Sequence, residues 1–253
     1  MQHALSPALD IDGPVATVTL RRPALANRLE LEDLQTLEAH AIALEAHQEV
    51  RVVVLQAQGP HFCSGFHIDA VPGVDAPALF EALCSRWESL PAITIAALQG
   101  GVWGGATDLA LACDFRLGTP KCQMAIPAAQ LGLHYYGGGM RRLVSRLGLG
   151  PAKRLLLAAQ TLDAQAMLRT HFLDELLGDP AALEPRVQAL VAEIRGLAPL
   201  ALRGMKQALN RLAAGQLDLD ELAAAQQRCA ASADLKEGVA AWQARRSPCF
   251  QGI

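Results

Sequence analysis

The feature that most constrains this chain is a pair of short apolar strands that each run into a glycine turn. Val52-Val-Val-Leu55 is a short, buried, β-branched run. Gly59-Pro60 ends it, and His61 to Asp69 follows as a loop through Ser64 and Gly65. Ile93 to Leu98 is a second apolar strand. It enters Gly100-Gly-Val-Trp-Gly-Gly105, and a helix is predicted from Ala106 to about Ala112.

The elements around these turns repeat the order strand, helix, strand. Val15 to Leu20 alternates as a strand, and Arg22-Pro23 breaks it. Leu31, Leu34, Leu37, Ile42 and Leu44 recur at helical spacing, so a helix is predicted from Leu29 to about His47. A second helix is predicted from Asp75 to Leu90, and short strands at Asp114 to Leu117 and Gln123 to Ala125. This order argues for an α/β domain. Beyond Gly150 the pattern changes to Ala- and Leu-rich helices: Pro151 to Ala159, Ala164 to Leu168, Pro180 to Leu197, Pro199 to Ala214 and Leu217 to Arg246. No strong strand is predicted there. The expected division is a core over 1–195 and a helical region over 196–253.

Composition excludes several functions. The net charge of −3 argues against a general nucleic-acid binder. No apolar run reaches the ~18 residues that a membrane span needs. Met1 to Asp12 lacks the pattern of a secretion signal. The six cysteines show no metal or disulfide spacing, so free thiols in a reducing cytoplasm are expected, with no metal.

The two turns share one chemical capacity. A helix start leaves unpaired N–H donors at the positive end of its dipole. Glycine lets backbone approach a ligand closely. Aimed at a carbonyl that gains negative charge, one such donor is worth roughly 3–4 kcal/mol in a transition state. Each turn taken alone reads more readily as only a tight strand-to-helix connection. The second lacks the GxxxxGK[ST] spacing of a phosphate loop.

In this order, about 40 residues apart, the turns resemble those of the crotonase superfamily, the enoyl-CoA hydratase/isomerase family. Phe62-Cys-Ser-Gly-Phe-His-Ile is similar to that family's first oxyanion loop, and Ala97 to Leu117 to its strand, glycine turn and helix. Val15 to Asn27, Leu131-Gly-Leu, Arg142-Leu143, Ala198-Pro-Leu-Ala-Leu and Lys236 to Phe250 extend the likeness over nearly the whole chain. The resemblance implies a spiral of ββα units with a C-terminal helical region, assembled as trimers or pairs of trimers. It implies an acyl-CoA substrate, with coenzyme A entering as part of it and no separate cofactor. The N–H groups of Phe66 and Gly105 would hold the thioester oxygen. Substrate contacts would come from Leu25 and Ala26, from Ser64, Gly65, His67 and Ile68, and from Gly104 and Pro127. Phe250, with Arg245 or Arg246, would reach the adenine end from a neighbouring subunit.

The chain departs from the family where a hydratase carries two glutamates. One position is Asp108, a carboxylate shorter by one methylene. The other is Ala128, which has no acid. Two carboxylates suit hydration because one takes a proton and the other delivers one. Asp108 is therefore expected as a sole acid–base residue, or as a group bonded within its own helix turn. His134, Tyr135 and Tyr136 are candidates to supply the missing proton chemistry. The two tyrosines are expected to point in different directions, one into the pocket. Three readings stay open: hydratase or isomerase, decarboxylase of a CoA thioester, and an acyl-CoA binder without catalysis.

Overall fold

The computed structural model describes residues 5–66 and 75–253. The chain opens with β1 (Leu5–Asp12) and β2 (Val15–Arg21), an antiparallel pair. The sequence pattern does not announce β1, because Pro7, Asp10 and Asp12 dilute its alternation. There follow α1 (Leu31–Ala46), β3 (Val52–Ala57), α2 (Ala76–Ser89), β4 (Ile93–Leu98), β5 (Val102–Trp103) and α3 (Gly105–Ala112). Then come β6 (Phe115–Gly118), β7 (Gln123–Ala125), α4 (Gly137–Leu147) and α5 (Leu149–Leu157). The chain continues with β8 (Leu162–Asp163), α6 (Ala164–Arg169), β9 (Glu175–Leu176) and α7 (Leu183–Arg195). It ends with α8 (Pro199–Ala213), α9 (Leu219–Ala231) and α10 (Ala233–Ala244).

The larger sheet runs β1-β2-β3-β4-β6-β9, and every pair in it except β1–β2 is parallel. Alternate side chains build two cores, as strand geometry requires. Val18, Val53, Leu55, Ala96 and Leu98 pack under helices α1 to α3. Val52, Val54, Ile93, Ile95 and Leu117 pack against Val187, Leu190, Val191 and Ile194 of α7. That is why β3 and β4 read as unbroken apolar runs.

A smaller sheet, β5-β7-β8, lies beside the first. Val102 and Trp103 pair with Met124 and Ala125, and Cys63 bridges to Val102 in parallel. Each turn of the spiral thus places a large-sheet strand, then a short second-sheet segment. Parallel neighbours end at the same edge, so successive turns deliver their following loops side by side.

Three expectations need correction. Two strands do occur beyond Gly150, but β8 and β9 have only two residues each, too short for any alternation to show. Helix α4 is absent from the predicted elements because three successive glycines open it. The long helix expected over Leu217 to Arg246 is two helices. Ser232 is extended there (ψ 152°) and its Oγ accepts from the Leu235 N–H, capping α10. The C-terminal helices join the core through Lys206, whose ammonium lies 2.6 Å from Asp114 and donates to the Ala92 carbonyl.

Candidate active site

The first turn is anchored to the segment after β2. Ala26 and Asn27 adopt left-handed backbone (φ 49° and 55°), which Asn tolerates better than most residues. The buried Asn27 amide donates to the Gln58 and His61 carbonyls, and its oxygen accepts from the Arg22 N–H. Ser64 donates its N–H to the Ala26 carbonyl and its hydroxyl to the Leu25 carbonyl. Leu25, Ala26, Ser64 and Gly65 therefore form one tied unit.

The two turns also meet each other. The Trp103 N–H donates to the Cys63 carbonyl, and Phe62 and Cys63 donate to Gly101. Gly65 has φ +92°, and a β-carbon there would stand 2.8 Å from the Trp103 carbonyl oxygen and 3.4 Å from the Gly105 nitrogen. Only glycine allows that approach. The Gly65 carbonyl accepts from the Leu29 N–H, so the Phe66 N–H, across the same trans peptide, points away from Leu29. Gly105 is the first residue of α3, where an N–H has no partner inside the helix. Among the described residues, neither the Phe66 nor the Gly105 N–H donates to any group. Two free backbone donors thus sit on abutting turns. His67 and Ile68 lie outside the described residues.

Asp108, one turn into α3, is fully buried. Its Oδ1 accepts from Arg142 Nε and its Oδ2 from Arg142 Nη2, both at 2.7 Å, and the Tyr136 hydroxyl donates to Oδ2 at 2.9 Å. Arg142, also fully buried, reaches Glu88 at 3.2 Å, and Glu88 further pairs with Arg141 and Arg146. Burial opposes the Arg142 charge, but its bonds to Asp108 outweigh that and raise its pKa. Burial would likewise raise Glu88, yet the surrounding guanidinium groups hold it below the usual carboxylate range. The alternative of a bond local to the helix turn is corrected too, since Asp108 is bonded to α4. An Asp108 so held has both oxygens committed, which weighs against an acid–base role.

The tyrosines do not point apart. Their rings stack at 4.7 Å and 17°, because residues 135 and 136 lie in the approach to α4 rather than in a strand. Gly139 makes room for both: a β-carbon there would stand 2.5 Å from the Tyr135 ring and 2.8 Å from the Tyr136 ring. Burial first, and then the nearby Asp108 charge, raises the Tyr135 phenol. Burial and then Cys84, Tyr135 and Asp108 raise that of Tyr136. Both remain neutral at ordinary pH. The Tyr135 hydroxyl is buried with no hydrogen-bond partner among the described residues. His134 is exposed, with Nδ1 2.8 Å from the Tyr135 carbonyl oxygen. Ala128 packs against the core, and Pro127 precedes it.

Phe80, on α2, is a residue the sequence does not single out. Its ring would touch a Gly105 β-carbon at 3.0 Å and lies 6.4 Å from the Phe66 ring and 6.3 Å from the Tyr136 ring. Arg142 is the other residue given no role at the site from sequence, where it enters only through the Arg142-Leu143 likeness to the family. It stands between Arg141 and Leu143 with Arg146 nearby, which reads as any solvated basic face. Phe250 lies in the C-terminal cluster, where its carbonyl accepts from Arg51 and its ring stands against Gly238. Within one chain it is not among the residues gathered at the turns. Arg246 is paired with Glu237. Among the described residues no cluster could hold a metal ion.

Residues 10–252 match the Enoyl-CoA hydratase/isomerase family. A short-chain-enoyl-CoA hydratase from Clostridium acetobutylicum is 29% identical, covering 94% of this chain and 94% of its own. Rat mitochondrial methylglutaconyl-CoA hydratase is 28% identical over 94% of this chain and 79% of its own. The crystal structure of an enoyl-CoA hydratase from Bacillus anthracis superposes with a TM-score of 0.90 at 26% identity, over 98% of this chain and 100% of that one.

Proposed function

Since the chain belongs to the enoyl-CoA hydratase/isomerase family, we propose that it is an acyl-CoA enzyme that stabilises a thioester enolate between the Phe66 and Gly105 N–H groups. The observation that carries this reading is the pair of backbone donors on abutting turns that have no partner among the described residues. Such donors gain most when the carbonyl oxygen becomes an oxyanion, so they lower the barrier rather than merely bind. Coenzyme A enters as part of the substrate. Its pantetheine would lie along Leu25, Ala26 and Ser64, with Gly65, Gly104 and Pro127 framing the thioester, and Phe250 of a neighbouring copy near the adenine.

A second reading is favoured by the state of Asp108. With Arg142 and Tyr136 on its oxygens, and Ala128 in place of a second acid, neither carboxylate position offers a free base. Loss of carbon dioxide from a malonyl-type thioester needs an oxyanion hole but no base to start it. Tyr136, Tyr135 and His134 then remain as candidates for returning a proton. The test is a parallel assay of crotonyl-CoA, a 3-enoyl-CoA, malonyl-CoA and methylmalonyl-CoA. Turnover of the first two with no carbon dioxide release supports the hydratase or isomerase reading, and the reverse supports decarboxylation. Binding of all four without turnover would overturn both.

Self-association as a trimer or pair of trimers is supported by the apolar faces that α8 to α10 leave exposed, Leu209, Leu212 and Trp242 among them. No helix among the described residues is long and apolar enough to cross a membrane. Six free cysteines support a reducing compartment, and we place the protein in the cytoplasm.

A further inference from the structure

The Phe80 ring lies directly against the turn that carries the Gly105 N–H, 3.0 Å from where a β-carbon of that residue would stand. It is almost fully buried, so it is held there by the core. Behind it stands Tyr136, fixed on one side by the stacked Tyr135 and at its hydroxyl by Asp108. Asp108 cannot yield, because Arg142 grips both of its oxygens. Aromatic rings locked in a close-packed surround do not give way to an added methylene without strain.

We propose that Phe80 and Tyr136 set the length of acyl group this site accepts, and that Asp108 serves as the strut that pins Tyr136 in place. The site then takes a short acyl thioester, butyryl or smaller, and rejects longer chains. This rests on the reading that Phe66 and Gly105 hold the thioester oxygen. On that reading an acyl group would leave the turns beside Phe80, whose ring stands against Gly105 and 6.4 Å from the Phe66 ring. Asp108 is on this account a positioning residue, acting through Tyr136.

The experiment is calorimetric binding of coenzyme A, acetyl-, butyryl-, octanoyl- and palmitoyl-CoA to the full chain and to Phe80→Leu, Phe80→Ala and Tyr136→Phe. The wild type is expected to bind butyryl-CoA at least about tenfold more tightly than octanoyl-CoA, in line with overpacking costs. Phe80→Ala, or Phe80→Leu where the larger deletion unfolds the protein, brings that ratio towards 1 with little change for acetyl-CoA. Tyr136→Phe keeps the ring but drops its bond to Asp108, and lowers the ratio by a smaller factor. A uniform loss across all esters, which a merely structural role would produce, overturns the proposal. So does equal binding of butyryl- and octanoyl-CoA by the wild type, which leaves the acyl-CoA reading standing. A Tyr136→Phe ratio equal to wild type removes Asp108 from the wall. Failure to bind any ester or coenzyme A itself overturns the acyl-CoA reading and the proposal with it.

Discussion

The Asp108 carboxylate and the Arg142 guanidinium form a two-pronged pair, 2.7 Å at each prong, with both side chains wholly removed from solvent. It joins α3, whose first residue is Gly105, to α4. A buried charge left without its partner is far costlier than a pair replaced whole. Arg142→Met should therefore destabilise the protein by about 3–5 kcal/mol in urea unfolding. The double replacement Asp108→Leu with Arg142→Met should cost clearly less than the single one. A single-variant loss under about 1 kcal/mol, the scale of a surface pair, would show that the pair is not closed in solution.

The Gly105 N–H can be removed without breaking its helix, because proline is well tolerated at a first helical position. Gly105→Pro should lower kcat by about a hundredfold to a thousandfold on whichever thioester is turned over. Gly105→Ala is the control, since it brings the same β-carbon contact with Phe80 but keeps the donor. Equal losses in the two variants would assign the effect to crowding and remove the N–H from the mechanism.

The thiols should divide sharply by burial. Burial pushes Cys63 up to about 12 and Cys113 up to about 11, and raises Cys84 and Cys122 as well. The thiolate is the reactive form. At pH 8, iodoacetamide should label exposed Cys249 quickly and half-buried Cys229 more slowly. The other four should react only after unfolding. Native labelling of Cys63 on the Cys249 timescale, read by mass spectrometry, would contradict this packing.

The C-terminal tail is docked by two carboxylates: buried Asp234, which accepts from the Gln251 and Gly252 N–H groups, and half-buried Glu237. Glu237 accepts from Arg246 at 2.6 and 2.8 Å and from the Cys249 N–H at 2.8 Å. Those bonds, Arg246 first, lower its pKa from 4.5 to about 2. A depressed acid favours the folded form above its ordinary value, so the Glu237 contribution to docking is complete above about pH 4.5 and is lost as pH falls towards 2. Carboxyl NMR should place the native Glu237 midpoint near 2. Glu237→Gln at pH 7 should hasten chymotryptic cleavage after Phe250. A native midpoint at the ordinary 4.5 would show that Glu237 does not hold the tail.

The sequence by itself determined the longer core strands and the glycine turns. Apolar runs at Val52–Leu55 and Ile93–Leu98 demand cover on both faces, and glycine at 65 and 105 permits close backbone approach, whatever the neighbours do. Those are local constraints, legible from a few adjacent residues. What Asp108 does was not of that kind. Its spacing after Gly105 places a carboxylate on the right face of α3, but its state depends on Arg142, 34 residues away, and on Tyr136. Phe80 comes against Gly105 only because α2 packs on α3. The paired direction of Tyr135 and Tyr136 likewise depends on the turn into α4 and on Gly139 beneath them. Tertiary packing alone decided these relations, because ion pairing and ring contacts act through space between distant segments and leave no periodicity in the chain.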